Sequence, residues 1–173
     1  MTITSRYDRG FTLIELVIAV AIVATMVAVG MPVFSNVINQ RRLSGAVERV
    51  AADLRYVQSQ AVMRNGTFRL HFGTDPAEGK PGQYRLEQNV GGANPWSPLS
   101  GWFTLSTDYL EVTLQSITDS AVIPVTLYEV RFGPQGSVTN TGTTAYPIIL
   151  TVAKSPLAAR TIKVMRAGPI RMS

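Results

Sequence analysis

The chain contains no cysteine. Disulfide staples and thiolate chemistry are therefore excluded, and an exported domain built from it must rely on its own core and on oligomeric contacts. It contains a single histidine, His71, in an alternating segment. No second ligand type accompanies that residue, so it reads as a structural strand residue rather than a metal ligand. Walker loops, G-x-S-x-G elbows and metal-spaced clusters are all missing. Asp75 and Glu78 flank a Pro/Gly loop and read as solvated turn residues, not as a catalytic pair. Nothing calls for a cofactor or a metal, and an enzyme is the least favoured class. Internal repeats and low-complexity tracts are also lacking.

Acidic residues stop at Glu129, and beyond it lie Arg131, Lys154, Arg160, Lys163, Arg166 and Arg171. The formal charge of +5 is thus unevenly spread. A uniformly basic end has two readings. It favours a polyanion, or it supplies the solvated lysines and arginines that protect exposed strand edges.

What the chain does have is a long apolar run, GFTLIELVIAVAIVATMVAVGMPVF, from Gly10 to Phe34. After Gly10, its polar groups are Thr12, Glu15 and Thr25. About 20 apolar residues in a helix cross a bilayer core of about 30 Å. The preceding segment carries Arg6 and Arg9 against Asp8, which keeps it on the cytoplasmic side. Glu15 is the anomaly, because a carboxylate in lipid usually has a partner. Either it snorkels to the interface, or it meets a cation supplied at the same depth by another chain.

The string Gly10-Phe11-Thr12-Leu13-Ile14-Glu15 resembles the class III signal of type IV pilins and type II secretion pseudopilins. The resemblance implies cleavage between Gly10 and Phe11 by a prepilin peptidase and N-methylation of Phe11. It also implies packing into a helical filament, where the new amine of Phe11 is a cation for the Glu15 of a neighbour. Pro32 falls where many of these proteins carry a helix-interrupting proline. It lacks an N–H, and its ring crowds the carbonyl of Ala28.

From Val33 to Arg64 the pattern is amphipathic, with Val37, Leu43, Val47, Val50, Leu54, Val57 and Ala61 recurring at spacings near three and four. Asn65-Gly66 is the stop signal, with the glycine suited to a left-handed cap. After Gly66 the period changes to two. Thr67–Phe72, Tyr84–Val90, Trp102–Leu105, Leu110–Gln115, Val122–Phe132, Ile148–Val152 and Thr161–Met165 are the predicted strands. Gly133-Pro134-Gln135-Gly136 suits a tight turn with proline at its second position. Gly91–Pro98 reads as a loop, in which Trp96 either covers the core edge or projects as a contact residue.

These segments give an α+β fold: a leader at 1–10, a membrane-spanning helix at 11–34, an amphipathic spine at 35–65, and an antiparallel β head at 66–173 packed on the spine. Two further stretches resemble the GspH/FimT group of minor pilins, which includes FimU. They are Asp53–Gly66, similar to that group's helix ending, and Phe132–Gly136 with Gly142 following, similar to its F-x-x-x-G turn. In the first, Val57, Gln58 and Gln60 stand where Ala, Arg and Glu are common.

The resemblance implies a structural subunit, not an enzyme, of a type II secretion pseudopilus or a type IV pilus. It would be anchored by a single pass in the bacterial inner membrane, with its head in the periplasm. Expected partners are other pilins or pseudopilins, the prepilin peptidase, the inner-membrane assembly platform and membrane lipid. The alternative is a DNA-binding minor pilin of a competence pilus. Some FimT proteins carry a basic G-R-x-R tail, whereas here the stretch reads Gly168-Pro169-Ile170-Arg171. The expected DNA contacts are Lys163, Arg166 and Arg171.

Overall fold

The computed structural model describes residues 11–75, 78–91, 95–121, 126–139 and 145–173, and only the backbone at positions 32 and 33. The expected leader, Gly142 and part of the predicted strand at 122–132 lie outside these residues. The first element is α1, Leu13–Met63, and the chain divides into two units at Ile38 and Asn39.

The first unit is helical and contains a stretch long and apolar enough to cross a membrane. Its described large apolar side chains, such as Leu16, Val20, Val23 and Met26, are exposed within the chain. Thr25, a polar group in this stretch, donates its hydroxyl to the carbonyls of Ala21 and Ile22 at 2.9 and 2.8 Å. Its polarity is thus satisfied inside the helix, as a lipid environment requires. The backbone stays helical through position 32. The proline expected to break the helix therefore lies within one uninterrupted helical run of the isolated chain.

The second unit is the head. The core-facing spacing read from the sequence is realised from Leu43 onward: Leu43, Val47, Val50, Leu54, Val57 and Ala61 are buried, joined by Ala46 and Ala51, whereas Val37, in the first unit, is exposed. The helix ends in a Schellman motif, with Gly66 N–H donating to Ala61 O and Asn65 N–H to Val62 O. The left-handed residue is Asn65, at φ 47°, rather than the expected Gly66. Asparagine tolerates that conformation at modest cost.

Two antiparallel sheets follow. The first has β1 (Phe68–Phe72) paired on one side with β2 (Gln83–Asn89) and on the other with β6 (Glu129–Phe132). The outer edge of β2 takes β3 (Trp96–Pro98) and β4 (Phe103–Thr104). The second sheet runs β5 (Thr113–Thr118), β7 (Ile148–Ala153), β8 (Arg160–Val164), β9 (Ile170–Met172). Alternation sends Phe68, Leu70 and Phe72 of β1, and Ile148, Leu150 and Val152 of β7, into one core.

Several boundaries differ from expectation. The segment expected as a loop contains the edge strand β3, where Pro98 costs no ladder bond. The stretch expected as a strand at Trp102–Leu105 gives only two strand residues before a helical turn, α2 (Leu105–Asp108). The strand expected at Leu110–Gln115 begins later and carries a register shift between Leu114 and Ser116. β9 was not predicted: it is three residues long and follows a proline. The turn at Gly133–Gly136 is closed by Gly136 N–H donating to Gly133 O at 2.9 Å.

Candidate functional site

At the N-terminal end, Phe11 is exposed and Gly10 lies outside the described residues. Beside Phe11 the first turn is locked by a capping box. Glu15 N–H donates to Thr12 Oγ1, and Thr12 N–H donates to Glu15 Oε2, both at 3.3 Å. This arrangement satisfies two amides that a helix start leaves without partners. The T-x-x-E spacing that signals it is legible in the sequence.

The three basic residues expected to contact DNA are placed unequally. Lys163 and Arg171 are direct cross-strand partners on β8 and β9, in one row with Ile149 and Thr118. They share the outer face of the second sheet. The adjacent row is hydroxyl-bearing: Ser116, Thr151 and Thr161 are in register, and Thr161 exchanges backbone bonds with Ser173. Arg166 sits instead in the β8–β9 turn, its guanidinium 5.9 Å from the Tyr146 ring centroid. Lys154, also in the basic end, is buried rather than solvated. It donates to Glu111 Oε2 at 2.7 Å and Leu110 O at 2.9 Å.

The outer face of the first sheet holds a group that single-residue reasoning missed. Glu78, Arg85, Glu87, Arg69, Glu129 and Arg131 pair in that order, forming an unbroken alternating chain of charges. Glu87, at the middle, is 1% exposed. Two indoles cover the chain. Trp96 lies over Arg69 and Arg131, with centroid distances of 4.0 and 4.9 Å, and Trp102 lies over Arg85 at 4.5 Å. Trp96 therefore covers guanidiniums, not the core edge. Glu78 is an ion-paired, part-buried member of this layer, not the solvated turn residue expected.

His71 is buried beside the same chain, with its Nε2 3.5 Å from Glu78 Oε1 and, among the described residues, no hydrogen bond to either ring nitrogen. Burial, followed by the positive charge of Arg69, holds its pKa below the usual imidazole value. On the core side, Tyr84 donates its hydroxyl to Asp53 Oδ2 at 2.6 Å, and burial pushes its pKa far up. Among the described residues, no cluster of three or more His, Asp or Glu side chains is arranged to hold a metal.

Comparison with known proteins agrees with this architecture. Residues 5–31 match the prokaryotic N-terminal methylation motif, and residues 46–168 match the type II transport protein GspH family. No curated protein sequence matches the chain. Among solved structures, the type IV minor pilin FimU of Pseudomonas aeruginosa PAO1 is 18% identical, with TM-score 0.51 over 76% of this chain and 92% of that one. The minor pseudopilin EpsH from the type 2 secretion system of Vibrio cholerae is 13% identical, with TM-score 0.55 over 76% and 96%. At such identities these likenesses establish the fold. The length and position of the family match establish more: this chain belongs to the GspH family, with a pilin-like fold that begins in an N-terminal methylation motif.

Proposed function

We propose that this protein is a minor structural subunit of a type II secretion pseudopilus or a type IV pilus. The observation that carries the reading is the pairing of the methylation motif with a half-helix whose described large apolar side chains are exposed. Lipid before assembly and neighbouring helices after it would cover that surface. Prepilin peptidase removes Met1–Gly10, and Phe11 becomes the methylated N-terminus. The protein stands in the inner membrane with its head in the periplasm, and the assembly platform draws it into a filament. There the Phe11 amine pairs with Glu15 of a neighbouring subunit, and the backbone around Pro32 is free to open as the subunits pack. The role is structural, not enzymatic. FimU and EpsH, named as a minor pilin and a minor pseudopilin, support this role by fold alone.

Mass spectrometry of membrane-extracted protein tests the first step, with Phe11 expected as the N-terminus carrying one added methyl. A mature chain starting at Met1 in cells with an active peptidase, or one starting after Ala21, would refute it.

A second reading, DNA binding by the head, is favoured by one observation: Lys163 and Arg171 lie opposite each other beside a hydroxyl row. Such a face suits phosphate oxygens. Binding through it should be independent of sequence and should weaken as salt rises. Equal DNA affinity after neutralising Lys163, Arg166 and Arg171 would exclude it.

A further inference from the structure

Arg49, Asp53, Tyr56, Gln60 and Arg64 recur along α1 at intervals of three and four, so they share one face of the helix. That face does not belong to the core stripe. It forms one wall of a groove of about 510 Å³, and Leu86, Leu99 and Phe103 form the other. β3 and β4 pair with β2 on either side of Leu86, leaving a gap in the ladder between them. Leu86 meets that gap through the Ser100 hydroxyl and the Leu99 amide.

At the floor lies Gln60, only 9% exposed. Its side-chain amide makes no hydrogen bond to another described residue and lines the groove. A carboxamide offers one acceptor and two donors, the complement of a peptide group. A guanidinium stands towards each end of the groove. Arg49 is fixed by Asp53 at 3.1 Å and by the Phe103 ring at 5.4 Å. Arg64 is exposed and reaches Gln88 Oε1 at 3.4 Å. Between them the helix wall is polar, and Leu86, Leu99 and Phe103 make the facing wall apolar.

We propose that this groove binds an extended peptide segment of another protein, apolar in the middle and acidic at both ends. The helical rise between Arg49 and Arg64 is about 22 Å. A strand covers that distance in about seven residues. Gln60 pairs with the central peptide group, the apolar wall takes alternate apolar side chains, and the two arginines hold the terminal carboxylates. An acidic end can also displace Asp53 as the partner of Arg49. The site is independent of the filament reading above, since it uses only residues of the head.

The test uses the full-length chain in detergent and two fluorescent seven-residue peptides, acetylated and amidated, with identical Val/Leu interiors. One has glutamate at both ends and the other lysine, and detergent alone is the blank. The glutamate peptide should bind at least about tenfold more tightly than the lysine peptide, and its affinity should fall with salt. Gln60→Leu should weaken it about tenfold, as loss of a two-point hydrogen bond requires. Equal binding of the two peptides would overturn the proposal. So would undiminished binding by a folded Gln60→Leu protein, or displacement of the peptide by a single-stranded oligonucleotide. The peptide comparison needs only the parent protein, so it decides the matter even if the variant fails to fold.

Discussion

Thr12 and Glu15 cap the first turn of α1 reciprocally, each side chain accepting the other residue's backbone N–H. Glu15 therefore has a local task even before any neighbour is present. Local and assembly roles separate through Glu15→Gln, because glutamine can complete a capping box but carries no charge. If the proposed pairing with the Phe11 amine holds, Glu15→Gln will insert and be processed as the parent is. It will fail to co-purify with other pilin-like subunits. Thr12→Ala, which loses the cap at about 1 kcal/mol, will still assemble. Normal co-purification of Glu15→Gln alongside failure of Thr12→Ala would assign Glu15 to the cap alone.

His71 is the single imidazole of the chain, so its proton NMR signals report one site. Its folded pKa is lowered, so the unfolded chain binds the proton more readily. Stability is complete above the unfolded value of about 6.5 and falls as pH drops toward the folded value. Urea midpoints between pH 7 and pH 5 should decrease, and His71→Leu should flatten that decrease. The ring resonances should titrate below 6.5. A midpoint at or above that value would show that Glu87 and Glu78 outweigh burial and Arg69.

Glu111 has the opposite sense. Its hydrogen bond with Lys154 holds its pKa below the usual carboxylate range. The resulting stabilisation is present above the unfolded pKa and disappears as pH falls through the folded one. Glu111→Gln should lower the urea midpoint at pH 7 and reduce its difference from the value at pH 3. Equal parent and variant midpoints at pH 7 would mean that Leu110 O alone satisfies Lys154.

Gln58 donates from one amide nitrogen to Gly136 O at 2.7 Å and Gly168 O at 3.2 Å, tying two turns to the helix. Gly168 has φ 105°, and a Cβ there would lie 2.3 Å from that nitrogen and 2.4 Å from Gly136 O. The carbonyl is backbone, so it cannot swing away as a side-chain tip can. Gly168→Ala should cost about 2 kcal/mol or more, and Gln58→Ala about 1–3 kcal/mol. Denaturant unfolding measures both, and an alanine tolerated at 168 would contradict the close approach.

The sequence disclosed those features whose cause is local or periodic. The apolar run, the stripe from Leu43 to Ala61 and the alternation at Thr67–Phe72 follow from single repeating spacings. β3 and β9 escaped because three residues are too few for a period to show, and each lies beside a proline. The charge chain escaped for a different reason. Arg69 meets Glu129 across 60 positions only because β1 pairs with β6 in one register. The groove face was visible as a spacing at 49, 53, 56, 60 and 64. A spacing of polar residues does not by itself mark a site, and only the tertiary approach of Leu86, Leu99 and Phe103 gives that face an opposite wall.

The alternating chain from Glu78 to Arg131 also shapes the electric field around the head. Its three carboxylates and three guanidiniums compensate one another within the chain. The outer face of the second sheet carries Lys163 and Arg171 with no acid among its strand residues. The two outer faces therefore differ in kind. A polyanion meeting the second sheet would find cations of the strands unmatched by strand acids. One meeting the first would find a chain whose charges are already matched and capped by two indoles.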